Sequence, residues 1–164
     1  MKEVRQEVLN RWRRLVKERD PYLHQWIEIS KFLRPANGKF LNPTTQNEAK
    51  TRWNNIYDNT ALRASDILAK GLMSGMTDPS QQWFFLTTGS PDLDESVQVR
   101  RWLSDVSQIL YMTYAKTNLY QALHHAWLEA GLFGILAIII EEDEEKGFNC
   151  IPLTAGEYCI SCDS

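Results

Sequence analysis

A chain of 164 residues with 43% hydrophobic and 24% charged residues suits one domain that buries a core without staples, and it excludes wholesale disorder. The net charge of −3 hides an asymmetry: Met1 to Arg52 carries 12 Lys+Arg against 6 Asp+Glu, and the remainder carries 6 against 15. Met1 to Arg14 is charged throughout and lacks the apolar segment of a secretory leader, and the longest apolar stretch, Ala130 to Ile140, is too short to span a bilayer. Synthesis in a cytoplasm, with the three cysteines reduced and no membrane partner, is therefore the expectation.

The basic front, residues 1–35, reads as a helix pair or one helix bent at Asp20-Pro21. Val4, Val8, Trp12 and Leu15/Val16 recur at helical spacing opposite a Lys/Arg-rich face, and Tyr22, Leu23, Trp26, Ile29 and Leu33 continue the stripe. Pro21 suits the first turn of a restarted helix because its missing N–H needs no partner there. Residues 36–57 form a polar loop without periodicity, and loops of that length are usually functional.

Residues 58–133 read as helices with one short strand. Asp58 caps a helix running to about Met76, with Ala61, Ala64, Leu68 and Leu72 on one face and enough Ala, Ser and Gly for a neighbouring backbone to approach closely. Thr77-Asp78-Pro79-Ser80 is a turn, and the aromatic run Trp83 to Thr88 reads as a strand. A helix follows over about Glu95 to Lys116, with Val99, Leu103, Val106, Leu110 and Thr113 inward. Asn118 caps the next, about Leu119 to Leu132, with Leu119, Leu123, Ala126, Trp127 and Ala130 inward.

After Gly134 the period shortens to that of strands. Residues 134–164 are expected to form Ile135–Ile140, an acidic turn Glu141–Gly147, then strands Phe148–Leu153 and Glu157–Cys162. Helices followed by a small antiparallel sheet make a single α+β region, 1–164. The pattern ends at Ser164 without a polar tail, so further chain is expected beyond it.

Motifs that carry chemistry are weak. Cys159-Ile-Ser-Cys162 has the C-x-x-C spacing, but only Cys150 remains as a third thiol, and residues i and i+3 of a strand point to opposite faces; buried structural thiols fit better. His125 and Glu129 lie four apart on a helix beside His124, yet no third ligand is nameable, so a helix-surface contact is the simpler reading. The run Glu141 to Glu145 lacks the mid-loop glycine of a calcium loop and reads as a solvated or partner-facing turn. No G-x-S-x-G, Walker A or G-x-G-x-x-G sequence occurs. Neither a catalytic, metal nor cofactor site is expected, and the chain reads as a non-enzyme.

Three blocks carry a resemblance: RDPYLHQWIEISKFLRPANGKF (Arg19 to Phe40), IYDNTALRASDILAKGLMSGMTDPSQQWFFLTT (Ile56 to Thr88), and NLYQALHHAWLEAGLFGILAIIIEED (Asn118 to Asp143) followed by IPLTAGEYCI. In their order the chain resembles the head-to-tail connecting (portal) proteins of short-tailed, podovirus-type bacteriophages, most specifically in the middle block. Ile135-Leu136 departs from the small residue or threonine more usual there after Phe-Gly, a variation expected to concern packing.

The resemblance implies a virion protein, a ring of identical subunits (twelve in the usual case) at one capsid vertex. Capsid, packaging terminase and tail proteins would be its partners, and double-stranded DNA would pass through its channel during packaging and ejection. These segments would belong to the outer, wing-like region of a longer chain, with the channel-lining stem helices following later. A closed ring needs one patch to meet a different patch. The expected packing and assembly residues are Trp83, Phe84 and Phe85 with Leu72, Met73 and Met76 of the helix before them. A small nucleic-acid-binding module built on the basic first helices is the alternative; it predicts steeply salt-dependent DNA affinity.

Overall fold

The computed structural model describes residues 2–34 and 57–161. Five helices precede a two-stranded sheet: α1 (Lys2–Leu33), α2 (Thr60–Met76), α3 (Pro91–Asp94), α4 (Val97–Lys116), α5 (Leu119–Phe133), β1 (Ala137–Asp143) and β2 (Gly147–Leu153). The expected α+β class holds. Among the described residues no helix is long and apolar enough to cross a membrane.

The basic front is one helix of 32 residues, with Pro21 inside it, in place of the two that the Asp20-Pro21 signal allowed. The loop expected over residues 36–57 lies outside the described residues except for Tyr57. The backbone N–H of Thr60 donates to Asp58 Oδ1 at 2.8 Å, so Asp58 does satisfy a free amide at the start of α2, from one position before the cap residue Asn59.

Two of the expected strands are absent among the described residues. Trp83 to Thr88 pairs with no ladder, because its rings pack onto α4 and α5 and leave the backbone without a strand neighbour. Residues 157–161 also form no strand, and Cys162 lies outside the described residues. There the carbonyls of Gly156 and Tyr158 accept from Arg19 Nη1 at 2.6 and 3.2 Å, so a side chain of α1 takes the place of a sheet partner.

The chain divides into two compact units. One gathers α1, α2 as far as Ile67, the end of α5 from Glu129, and the segment after β2. Its core is Trp26, Phe133 and Ala155, with Leu23, Ile29, Leu132 and Ile135 against them. Gly134 ends α5 with φ +77, the left-handed conformation that closes helices, and its N–H reaches the carbonyl of Ala130 at 3.0 Å.

The other unit gathers the remainder of α2, α3, α4, most of α5, and the hairpin. Its core is Leu119, Ala122 and Cys150, flanked by Tyr114, Leu123, Ile138 and Phe148. A three-residue turn joins β1 to β2, which only an antiparallel pair permits, and Gly147 with φ +96 supplies the left-handed residue such turns need. Asn118 stands at the cap position of α5, but its side chain is used elsewhere. Its Nδ2 donates to the carbonyl of Cys150 and its Oδ1 accepts from the Cys150 N–H, both at 2.8 Å, so one amide imitates a strand neighbour along β2.

Candidate assembly surface

The aromatic run after α2 splits into an anchored part and an exposed part. Trp83 stacks on Tyr114 with ring centroids 6.4 Å apart, and its Nε1 donates to the Tyr120 hydroxyl at 3.4 Å. Phe84 lies 5.3 Å from Tyr114, which meets Phe148 edge-on at 5.9 Å. This cluster joins the 83–85 segment to α4 and to β2. Phe85 is the opposite case: 82% of its surface is open to solvent.

On α2 the buried side is turned relative to the expectation. Ser65 and Ala69 are buried and Leu62, Leu72 and Met73 half-buried, while Ala61, Ala64 and Leu68 are exposed. The helix is apolar on nearly every side, so periodicity alone does not select a face. Met76 is exposed, as is Ile67. A Cβ added at Gly71 or Gly75 would meet open space, so at these two small residues no other backbone approaches closely within the described chain. Thr77 fixes the end of the helix: its N–H donates to Met73 O at 2.8 Å, and its buried hydroxyl accepts from Trp127 Nε1 at 3.0 Å.

The inward stripe of α4 lies as expected, with Leu103 buried and Val99, Val106 and Leu110 half-buried. A second stripe was not anticipated. Trp102 and Ile109, seven residues apart and therefore on one side of the helix, are 62% and 63% exposed, with Met112 beside them. The signal was present in the spacing of Trp102, Ile109 and Met112, and the stronger inward stripe concealed it.

The groups screened for chemistry are engaged structurally. Glu129 does not reach out with His125 to a metal. It is buried in α5, its Oε1 accepts from Arg34 Nη1, and its Oε2 accepts from the Ala155 N–H at 3.1 Å. Burial pushes its carboxyl above the ordinary value of 4.5, against the opposing pull of the Ala155 amide and the Arg34 charge. Burial, with the Glu129 charge behind it, likewise raises the Tyr158 phenol. Sequence reasoning missed this cluster, although a carboxylate in register with Ala122, Ala126 and Phe133 marks a charge that must find a buried partner.

Asp143 holds the acidic turn. Its Oδ1 accepts from the N–H groups of Lys146 and Glu145 at 3.0 and 2.9 Å, and these bonds lower its pKa. Cys150 is buried, which pushes its thiol up and away from reactivity. Among the described residues no three His, Cys, Asp or Glu side chains are grouped to hold a metal. A cleft of about 460 Å³ is lined by Leu15, Arg19, Tyr22, Trp26, Phe133 and Tyr158, among others. Two buried polar atoms of this lining, Arg19 Nε and the Tyr158 hydroxyl, have no hydrogen-bond partner among the described residues.

The described residues thus offer exposed apolar stripes on helices, an acidic hairpin and a basic helix, which are means of contact. A family model described as bacteriophage head to tail connecting protein matches residues 5–164. The "Probable portal protein" of Bordetella phage BPP-1 is 43% identical over 160 residues, 98% of this chain and 29% of that protein. The "Portal protein" of Salmonella phage epsilon15 is 31% identical over 157 residues, 96% of this chain and 28% of that protein. The chain therefore spans under a third of the length of these curated relatives. Since the match runs through every described element, the chain belongs to the family of bacteriophage head to tail connecting proteins.

Proposed function

We propose that this chain is part of a structural subunit of a phage portal ring, placed at the capsid vertex and serving DNA packaging, tail attachment and genome ejection. The observation that carries the reading is the family match over residues 5–164, supported by two relatives named as portal proteins. The role requires binding surfaces and no bond-breaking step. Its partners are further copies of itself, capsid, terminase and tail proteins, and the double-stranded DNA that passes through the channel. It works in the virion after synthesis in the host cytoplasm.

Charge supports the reading: the chain from Trp53 onward is strongly acidic, and a portal must let DNA slide without phosphate contacts that resist movement. Within this role Phe85 and Met76, both exposed, are the assembly residues. Trp83, Phe84, Leu72 and Met73, half-buried or held in the aromatic cluster, pack the unit that presents them. The test is electron microscopy of the protein produced at the length of its gene. Closed rings with a central channel are expected, and a population that stays monomeric at micromolar concentration refutes the reading.

A further inference from the structure

The two halves of α1 are held in different ways. From Val4 to Tyr22 no residue is buried, and only Leu15, Val16 and Arg19 are half-buried. From Leu23 onward Trp26 and Ser30 are buried, and Leu23, Ile27, Ile29, Leu33 and Arg34 are half-buried. The second half thus supplies Trp26 to the core with Phe133 and Ala155, and Arg34 to the buried Glu129. The first half reaches the rest of its unit through side-chain hydrogen bonds. Arg19 Nη1 donates to the carbonyls of Gly156 and Tyr158, and Arg11 Nη2 donates to Ser161 Oγ at 3.1 Å.

Pro21 stands at the boundary between the halves. It has no N–H for the carbonyl of Lys17, and its ring crowds that carbonyl, so the helical ladder is weakest there. Proline also disfavours helical backbone at the residue before it, Asp20. Opening the helix at this point costs the second half little. An aspartate followed by proline is a favourable helix start, because the carboxylate accepts from free N–H groups and the proline needs none in the first turn. The chain therefore carries a start signal at a place where the helix runs on. Helices in proteins draw most of their stability from packing one face, and the first half packs little of any face. The cleft of about 460 Å³ is lined by Leu15, Glu18 and Arg19 of this half together with Phe133, Ile135 and Tyr158, so packing there is incomplete. Arg19 Nε and the Tyr158 hydroxyl are unpartnered in that lining, and access to water on opening offsets part of the bonds lost.

We infer that residues 2–20 form a hinged arm: α1 bends at Asp20-Pro21, and Arg19 is the latch that holds the arm along the rest of its unit. With the bonds to Gly156 and Tyr158 released, the arm swings away while Trp26 stays packed on Phe133 and Arg34 stays on Glu129, since both lie beyond the hinge. Hinge, latch and the carbonyls it grips all belong to one compact unit. The disagreement between the start signal at Asp20-Pro21 and the continuous helix is then the mark of two arrangements close in energy. The device is a property of one chain and does not depend on the ring reading.

Amide hydrogen exchange followed by mass spectrometry tests this on the protein at the length of its gene. Amides of residues 5–19 are expected to exchange about tenfold faster or more than those of residues 23–33, with a step at Pro21. Pro21→Ala restores the missing N–H and should slow the arm by about tenfold. Arg19→Met keeps the length of the side chain without its two bonds and should speed the arm by about tenfold. Residues 23–33 should exchange as in the native protein in both variants, which also reports that each variant is folded. Where a variant fails that check, the native step decides, since it needs no substitution. Equal rates on the two sides of Pro21 overturn the inference. A smooth rise in rate toward Lys2 overturns it as well, because that is fraying from the end without a hinge. An arm indifferent to Pro21→Ala removes the hinge, and one indifferent to Arg19→Met removes the latch.

Discussion

Replacing Glu129 by alanine is expected to destabilise the chain severely, because the carboxylate serves two buried partners. The Arg34 side chain is 12% exposed and Ala155 is fully buried. Removing the acid leaves a nearly buried guanidinium without its counter-charge and a buried N–H without an acceptor. Breaking one side of a buried pair costs about 3–5 kcal/mol, at least a fifth of the ~5–15 kcal/mol that holds a typical domain together. Urea unfolding followed by far-UV circular dichroism measures it, as a lower midpoint at unchanged slope. Arg34→Met combined with Glu129→Leu removes both charges and fills similar volume, and most of the loss should return. As a reference, Arg14→Ala breaks an exposed pair, and no measurable change is expected there. A Glu129→Ala chain within about 1 kcal/mol of the native one would refute the burial argument.

The same carboxyl has a pH signature. Its folded pKa lies above 4.5, so the folded state binds its proton more tightly than the unfolded state; its contribution is fully present below 4.5 and is lost as pH rises through the folded value. Unfolding free energies from pH 4 to 8 should shift in favour of Glu129→Gln over native as pH rises, and a constant difference would show that the pKa is not raised. Asn118→Ala strips both partners from the backbone of buried Cys150 and should cost about 1–3 kcal/mol in the same assay. Gly71→Ala adds a methyl into open space in a helix, so the lone chain should gain about 0.5–1 kcal/mol; a loss would mean that something packs there. Trp83→Ala should destabilise the monomer by about 3–5 kcal/mol. Phe85→Ala should leave monomer stability within about 0.5 kcal/mol and lower ring yield in sedimentation, and the reverse ranking would exchange their roles.

What could be read from the chain follows from where its information is local. The stripes of α4 and α5 and the turn at Gly147 announce themselves within one helix or one hairpin, and the structure has them within a few residues. Strand identity is not local. Trp83 to Thr88 has β-branched and aromatic composition, yet its neighbours are the rings of Tyr114 and Tyr120, and a strand exists only where a second backbone accepts its hydrogen bonds. Residues 157–161 fail for the same reason, since Arg19 takes the carbonyls of Gly156 and Tyr158. The face of α2 was unreadable because Ala61, Leu62, Ala64, Ile67, Leu68 and Ala69 surround the helix with apolar groups.

The basic front shows most clearly why charge in a sequence is ambiguous. Its excess of cations pointed to a solvated face ahead of nucleic acid, but several of those cations serve the fold. Arg34 neutralises Glu129, Arg19 holds the carbonyls after β2, and Arg11 reaches Ser161. These partners lie 95 to 150 residues away along the chain, beyond the reach of any spacing rule. Of the others, Arg5 stands beside the exposed Val4, Val8 and Trp12, while Arg13 and Lys17 lie on the far side of the helix. Cations beside an apolar stripe suit a protein surface better than a phosphate backbone, because DNA offers charge but little apolar area to cover tryptophan and valine.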